Sequence, residues 1–231
     1  MSKPLRFSKN EMLKASKTIR KYIVKNMKQP ASITMVDMDN GKSHKLTKKQ
    51  YCGLFDNQAG YFNEHGRLPN YTTLLYEEPT AFRGQKQPTG VECGNTSLHN
   101  ALTQLFIYIS VAQCKKICKT NNNGTTPANL VAAGKECGVK ITAIPRTYAA
   151  VKKAIDSGYS VIAHIQTGGS TKPACLGYVY DYGHWISIYN YLSGYKIKVY
   201  DPTKGYKVCS LNEIAKATGG RDIKFYSVAP L

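Results

Sequence analysis

The sequence has 231 residues, of which 42% are hydrophobic and 10% aromatic, so a chain that is disordered throughout is excluded. No apolar run reaches the ~18 residues that a membrane-spanning helix needs, and residues 1–10 lack the apolar centre of a secretory signal. We therefore expect a soluble protein that is made in the cytoplasm without a signal peptide and leaves the cell by lysis or another route.

Basic residues outnumber acidic ones by 32 to 14, which gives a formal net charge of +18. Residues 1–75 hold 14 basic and 5 acidic side chains, and residues 76–231 hold 18 and 9. Each part therefore has a net charge of +9, but the second part is about twice as long. A chain this basic is expected to meet an anionic partner: a nucleic acid, an anionic membrane or an acidic polymer. The N-terminal third should contribute most to that attraction.

The N-terminal third opens with a helix signal. Ser8 and the glutamate three residues later form a capping box, and apolar residues then recur at helical spacing until Pro30 interrupts them. A short strand is predicted over residues 33–36, and a second short helix is predicted over residues 46–55 with Thr47 as its cap.

Part of this unit occurs again 39 residues later. Repeats of this period are single supersecondary units that stack or serve as binding modules. The second copy looks truncated, so about one and a half repeats are expected in a small domain over residues 1–75. The matched positions are Tyr22, Ile23, Lys28, Pro30, Thr34 and Met35 in the first copy and Tyr61, Phe62, Arg67, Pro69, Thr73 and Leu74 in the second.

Residues 76–90 are polar with two prolines and are interpreted as a linker that opens a second domain over residues 76–231. Helices followed by antiparallel strands predict an α+β fold, with a two-residue hairpin turn at Ser193 and Gly194. The predicted helices cover residues 96–109, 126–138, 147–157 and 211–217, and the predicted strands cover residues 159–166, 184–192, 195–200, 206–209 and 223–228.

Seven cysteines are scattered along the chain. Without a signal peptide, a disulfide framework is not expected, and an odd number leaves at least one free thiol. Cys114 and Cys118 lie four apart on a predicted helix, but no matching pair of ligands occurs elsewhere. They are interpreted as small buried hydrophobes, and no metal site is predicted.

Cys93 directly precedes the predicted helix over residues 96–109. Unpaired backbone amides and the helix dipole at such a position favour a thiolate. A thiolate needs a base, a group that orients the base and an oxyanion stabiliser before it can act as a catalytic nucleophile.

His184 and Asp201 supply the base and its orienting group in this hypothesis. With a two-residue turn at positions 193 and 194, residue 201 lies opposite residue 186, which shares a strand face with residue 184. Asp201 is then a diagonal neighbour of His184, and a bend or bulge would bring its carboxylate to the imidazole.

Gln87, six residues before Cys93, is the candidate for an oxyanion hole together with the backbone N–H of Cys93, and Gln85 competes for that role. Each residue has a structural interpretation: a buried cysteine, a core histidine, a turn aspartate before proline. Their combination is far more specific. The rival residues His99, His164 and Asp181 rank below the Cys93, His184 and Asp201 set.

This order and spacing resemble papain-like cysteine peptidases of the bacteriocin-processing kind. The segments around Tyr22 to Pro30 and Tyr61 to Pro69 resemble pseudomurein-binding repeats. Repeats of that type joined to such a peptidase are similar to the pseudomurein endoisopeptidases of methanogen viruses and proviruses, and the resemblance covers nearly the whole chain.

The resemblance implies hydrolysis of the isopeptide bond between alanine and the ε-amine of lysine in the archaeal wall, with Cys93 attacking the carbonyl. It implies wall contacts at Tyr22, Pro30, Tyr61 and Pro69, and substrate contacts at Gly183 and Trp185, which flank His184. Pseudomurein, an acidic polymer, is the implied partner, and the implied place of action is the archaeal wall after release from the host.

No cofactor is required for this chemistry, only a reduced thiol; the sequence leaves the use of a divalent cation such as calcium open, since no acidic ligand loop occurs. Two alternatives remain. A nucleic-acid-binding protein would explain the charge but shows no known recognition motif. Another triad peptidase or acyltransferase on the same fold would share every site residue.

Overall fold

The computed structural model describes residues 4–75 and 82–231. Within these ranges, no helix is both long enough and apolar enough to cross a membrane. The first part contains β1 (Arg6–Ser8), α1 (Lys9–Asn26), β2 (Ser32–Val36), β3 (Ser43–Thr47), α2 (Lys48–His65) and β4 (Tyr71–Thr73). The second part contains α3 (Cys93–Gln104), α4 (Val111–Ile117), α5 (Pro127–Glu136), β5 (Val139–Ile144), α6 (Tyr148–Asp156), β6 (Ser160–Gln166), β7 (Gly183–Leu192), β8 (Lys196–Asp201), β9 (Gly205–Ser210), α7 (Leu211–Lys216) and β10 (Phe225–Pro230).

The first six elements form two copies of one strand–helix–strand unit. The helices α1 and α2 are offset by 39 residues at both ends. Their N-caps, Ser8 and Thr47, each accept a hydrogen bond from the backbone N–H three residues later, and both helices end on a residue in the left-handed conformation. The sequence offset therefore reflects a complete structural repeat.

The prediction of a truncated second copy is wrong. The strand Ser43–Thr47 was missed, and α2 continues ten residues beyond its predicted end. Gly53 and Gly60 interrupt the helical pattern, since glycine inside a helix costs about 1 kcal/mol relative to alanine. Burial of Leu54 and Phe55 in the core of the unit compensates for that cost.

The strands of the two copies pair crosswise. β1 pairs with β4 and β2 pairs with β3, both antiparallel. Phe7 lies opposite Thr72, and Leu46 lies opposite Ile33, so a shift of 39 residues converts one pair into the other. The unit thus has an approximate two-fold symmetry, and each copy completes the other.

The core of this unit extends past the linker. Phe106 is buried within it and stacks on Phe55 with ring centroids 4.2 Å apart. Arg20 donates to the carbonyl oxygen of Phe106 over 3.1 Å. The domain boundary at residues 75 and 76 remains a prediction, and much of the predicted linker lies outside the described residues.

The second part is built on a six-stranded antiparallel sheet in the order β5-β10-β6-β7-β8-β9, which confirms the α+β prediction. The helix α3 packs against β7 and β6. It ends at Gln104, five residues before the predicted end, because Phe106 turns away in a left-handed conformation (φ 59°) to enter the other core. The strand β5 was not predicted.

The cysteines differ from the prediction in one respect. Cys175 and Cys209 form a disulfide, with Cα atoms 5.6 Å apart. Because they are 34 residues apart and meet only through the fold, sequence spacing gave no sign of the pair. Cys114 and Cys118 lie fully buried in the core, as predicted.

Candidate active site

Cys93 is the first residue of α3, and 7% of it is exposed. The following glycine is required by close packing: a Cβ at Gly94 would lie 2.4 Å from the Cβ of Thr125 and 3.1 Å from Cδ1 of Trp185. Trp185 donates from Nε1 to the carbonyl oxygen of Thr125 over 3.0 Å. Gly94 therefore lets the start of α3 pack directly on the strand that carries His184.

His184 lies on β7 with 1% of its surface exposed. Its Nε2 is 3.0 Å from Oδ1 of Asp201, and Cys93 is close enough to favour the protonated ring. Burial lowers the pKa of His184, but the hydrogen bonds to Asp201 and Cys93 outweigh burial and raise the pKa to about 9. The structure therefore brings the three predicted residues into one buried chain, with an imidazolium favoured at neutral pH.

The strand register that joins His184 to Asp201 is the predicted one, although the turn is not. The hairpin loop has three residues, 193–195, rather than two. A bulge at Tyr189 removes the extra residue, so Ser187 faces Tyr200 and the next pair matches residue 186 with residue 201. The longer turn and the bulge at Tyr189 therefore cancel, and the register near His184 is unchanged.

Asp201 is fully buried, and protein groups donate several hydrogen bonds to its carboxylate. Its Oδ1 accepts from the backbone N–H groups of Thr203 (2.8 Å) and Lys204 (3.1 Å). Burial opposes ionisation of the carboxyl, but the hydrogen bonds, led by the one to His184, lower the pKa of Asp201. The carboxylate therefore stays charged beside the imidazole.

Tyr178 is a member of this network that sequence analysis missed. Its hydroxyl donates to Oδ1 (2.9 Å) and Oδ2 (2.8 Å) of Asp201 and lies 3.1 Å from Nε2 of His184. The residue follows the short 3-10 turn Ala174–Leu176, which the disulfide from Cys175 ties to β9. An isolated tyrosine in an irregular segment has no periodicity or spacing that would single it out.

Gln87 lies beside the turn that follows Asp201. Its backbone N–H donates to the carbonyl oxygen of Pro202 over 3.0 Å, and its side-chain Nε2 donates to the carbonyl oxygen of Thr89 over 2.7 Å. Its buried Oε1 has no hydrogen-bond partner among the described residues. The oxyanion role of Gln87 stays a prediction that requires its amide to turn from Thr89. Gln85 is held through its backbone by Asn100.

A cleft of about 490 Å³ reaches Cys93. Gly183 and Trp185 line it, as do His164 and Arg221. The His164 ring stacks on Trp185 with centroids 4.1 Å apart, and burial, then the nearby His184 and Arg221, lowers the pKa of His164 to about 4. A neutral His164 is thus a wall of the cleft.

The other two alternative site residues, His99 and Asp181, form hydrogen bonds that stabilise the fold. His99 places Nδ1 2.7 Å from the carbonyl oxygen of Ile109 and Nε2 2.9 Å from Oδ1 of Asn63, so it links α3 to the N-terminal unit. Asp181 accepts a hydrogen bond from Gln166. Neither contacts Cys93 through a hydrogen bond among the described residues.

The four residues that resemble wall-binding positions differ in exposure. Pro30 and Pro69 are buried at equivalent points of the two copies. Tyr22 is 36% exposed, whereas Tyr61 lies under the guanidinium of Arg67, which is 5.6 Å from the ring centroid. Their role in binding stays a prediction.

Comparison with known families and structures gives an independent assignment. Residues 83–218, more than half of the chain, match the model of the Peptidase C39 family. No curated protein matches the chain.

Two solved structures are similar to the second part of the chain. The peptidase domain of Streptococcus ComA, a bi-functional ABC transporter involved in a quorum sensing pathway, shares 19% identity at a TM-score of 0.50, covering 65% of this chain and 100% of that one. A double glycine motif protease from an AMS/PCAT transporter, in complex with the leader peptide, shares 18% identity at a TM-score of 0.48, covering 64% and 91%. The family match, together with the similarity to the Streptococcus ComA peptidase domain, confirms the predicted papain-like fold.

Proposed function

Because the chain belongs to the Peptidase C39 family, and is therefore a cysteine peptidase, we propose that it hydrolyses the alanine–lysine isopeptide bond of pseudomurein in the archaeal wall. The observation that carries the proposal is the hydrogen-bonded pair of His184 and Asp201 beside Cys93, in one molecule with a duplicated N-terminal unit. That unit resembles pseudomurein-binding repeats at the residues around Tyr22 and Tyr61.

The reaction begins with transfer of the Cys93 thiol proton to His184. The sulfur of Cys93 attacks the alanyl carbonyl carbon, and the imidazolium so formed protonates the departing lysine ε-amine as the C–N bond breaks. The alanyl group is then a thioester on Cys93. Water, deprotonated by His184, attacks the thioester and releases the carboxylic acid and the thiolate.

The remaining groups position these steps. Asp201 fixes the tautomer and orientation of His184 and stabilises its positive charge. The backbone N–H of Cys93, at the start of α3, and the side-chain amide of Gln87 stabilise the oxyanion. Gly183 and Trp185 border the substrate cleft. The chemistry requires a reduced Cys93 thiol and no cofactor.

The N-terminal unit holds the enzyme on its polymeric substrate. An excess of nine positive charges in residues 1–75 suits a wall that carries uronic acid and free carboxylates. In this proposal the enzyme is made in the host cytoplasm and reaches the wall after release, and nucleic acid is not its partner.

The test incubates pseudomurein sacculi under reducing conditions with wild type, Cys93→Ala and Cys52→Ala, the last being a free thiol far from the site in sequence and on α2. Wild type and Cys52→Ala should clear the suspension and produce new lysine ε-amines, measured by amine labelling and hydrolysis, and Cys93→Ala should do neither. Intact sacculi with an active-site-labelled Cys93 would overturn the wall assignment. Cleavage of a double-glycine leader peptide instead would identify the other peptidase function.

A further inference from the structure

The two copies of the N-terminal unit share a backbone but differ in the surface of their helices. On α1, four exposed lysines recur at spacings of three and four residues and form one stripe about 16 Å long. We call this surface the lysine stripe. Its members are Lys14, Lys17, Lys21 and Lys25.

The equivalent face of α2 has lost every one of these charges. The residues 39 positions later are Gly53, Asp56, Gly60 and Glu64. This face lies against the peptidase part: a Cβ at Gly60 would be 3.6 Å from Cγ of Arg83, and the adjacent Asn63 contacts both His99 and the Arg83 carbonyl oxygen. Both copies thus contact the peptidase part, α1 through β10 and through Ile23 beside Gly158, but only α1 displays the face equivalent to this one to solvent.

Within residues 4–75 and 82–231, acidic side chains do not neutralise the lysine stripe. Only Lys14 approaches an acid, at 4.0 Å from Oε2 of Glu11, and the described residues provide no ion pair for Lys17, Lys21 or Lys25. Like charges at such spacings destabilise a helix. Their concentration on the free face therefore fits a surface whose partner is an external polyanion.

A groove of about 270 Å³ between α1 and β2 adjoins the stripe and shares Lys14 with it. It combines an aromatic ring and a proline with hydroxyl groups, which suits a sugar ring better than an apolar peptide face. Glu11 also lines the groove, and its Oε1 accepts a hydrogen bond from the backbone N–H of Val36. The polar and ring-bearing lining residues are Thr18, Tyr22, Pro30, Ser32 and Thr34.

The tyrosines of the two copies also differ in availability. Tyr61 stacks with His65 at 4.1 Å and lies under Arg67. Tyr22, its equivalent, is 36% exposed, and no ring or cation stacks on it in the part of the chain that the structure describes. Tyr22 is therefore free to stack on a ligand.

We propose that the lysine stripe and the adjoining groove at Tyr22 form the binding surface for an acidic polysaccharide, and that the second copy serves only to dock the peptidase. The identity of the polysaccharide as pseudomurein rests on the proposed function. Consequently, one copy, rather than both, contacts the wall.

The test measures co-sedimentation with pseudomurein sacculi, using the full chain with Cys93→Ala so that binding occurs without cleavage. Lys17→Gln, Lys21→Gln and Lys25→Gln together should raise the apparent Kd about tenfold at low salt and flatten its salt dependence. A matched control removes three exposed lysines of the second part, Lys116, Lys135 and Lys140, and should change the Kd less than twofold. Melting temperatures verify that all variants fold.

A second pair of variants tests the groove and the division between copies. Tyr22→Ser should weaken binding severalfold, and Tyr61→Ser should not. Equal losses in the stripe variant and the lysine control, or equal losses in the two tyrosine variants, would overturn the proposal. Tighter stripe-dependent binding to duplex DNA or to anionic vesicles than to sacculi would overturn the choice of partner.

Failure here is distinguishable from failure of the proposed function, because catalysis is read separately. With Cys93 restored, the stripe variant should hydrolyse a short soluble isopeptide at the wild-type rate and clear sacculi more slowly. Equal clearance of sacculi by the stripe variant and wild type would overturn the surface assignment while leaving the peptidase intact.

Discussion

At the scale of single residues, Tyr178 contacts both His184 and Asp201, but the proposed mechanism assigns it no role. It supplies the only hydrogen bond that the described residues give to Oδ2 of Asp201. Tyr178→Phe should lower kcat about tenfold, since a hydrogen bond to a charged group contributes about 1.5 kcal/mol, and leave KM unchanged.

The same substitution should move the upper limb of the pH profile downward, because a less firmly held Asp201 stabilises the imidazolium less. Steady-state kinetics on a soluble isopeptide across pH values provide both readouts. A raised KM with unchanged kcat would show instead that Tyr178 shapes the cleft.

The pH dependence of the enzyme follows from His184. Burial opposes its protonation, but Asp201 and Cys93 raise the pKa to about 9, above the ordinary 6.5. Activity that depends on the protonated His184 ring should persist at neutral pH and fall as pH rises through about 9.

The stabilisation of the folded state that comes from protonation of His184 depends on pH in the same direction as activity. It is fully present below 6.5, the pKa of an unperturbed histidine, and is lost as pH rises through about 9. Asp201→Asn should move the loss of activity to lower pH. Thermal melts and kcat/KM at matched pH values check both, and a pH-independent melting temperature in this window would contradict the shift.

Gly94 makes a steric prediction. Gly94→Ala places a Cβ 2.4 Å from Thr125, where side chains of the helix start and the cleft loop must separate. We expect a loss of about 1–3 kcal/mol in the free energy of unfolding and a marked loss of activity. Gly90→Ala is the control, since nothing lies within 4 Å of its Cβ. Equal chemical denaturation midpoints for the two variants would refute the packing role.

At the scale of elements, the disulfide between Cys175 and Cys209 holds the 3-10 turn that precedes Tyr178. Replacing both cysteines by serine releases a closed loop of 34 residues, which should destabilise the fold by about 3 kcal/mol and lower kcat through Tyr178. Melting temperatures and kinetics of the double variant provide the measurement. A fully folded double variant with the wild-type kcat would show that the disulfide does not influence the active site.

Elements also show how far the sequence could be interpreted. Alternating apolar residues identified β7 and β8, and their pairing predicted that Asp201 faces His184. The third loop residue and the bulge at Tyr189 could not be foreseen, because both depend on how neighbouring strands twist and pack. The proximity of Cys93, His184 and Asp201 could be predicted because each stands at or next to an element boundary. Tyr178 and Cys175 approach them only through tertiary structure.

At the scale of the whole molecule, Phe106 couples the two parts. It stacks on Phe55 within the N-terminal core, although it belongs to the chain after α3. Phe106→Ala should cost about 3–5 kcal/mol. Calorimetry should then resolve two unfolding transitions, with peptidase activity on a soluble substrate surviving the first. A single shifted transition would mean that other contacts suffice to couple the parts.

The duplicated unit was only half visible in the sequence. The identical pairs are scattered over a helix, a turn and a strand of each copy, as Tyr22 and Tyr61, Pro30 and Pro69, and Thr34 and Thr73 show. Most other positions of α2 differ from α1, and its equivalent face has changed to meet the peptidase. Equivalence of the two helices therefore required the structure, because divergence erased the helical pattern in the copy that gained an internal partner.

The crosswise strand pairing has a consequence for the origin of the unit. In a single copy made alone, both strands would lack their pairing partners. A second, identical copy would supply them in the register seen between Phe7 and Thr72. We expect such a peptide to form a homodimer. Joining two copies through the turn over residues 37–42 converts that association into a first-order folding step and removes its dependence on concentration. Freed from the need to be identical, each half could then evolve toward a separate partner.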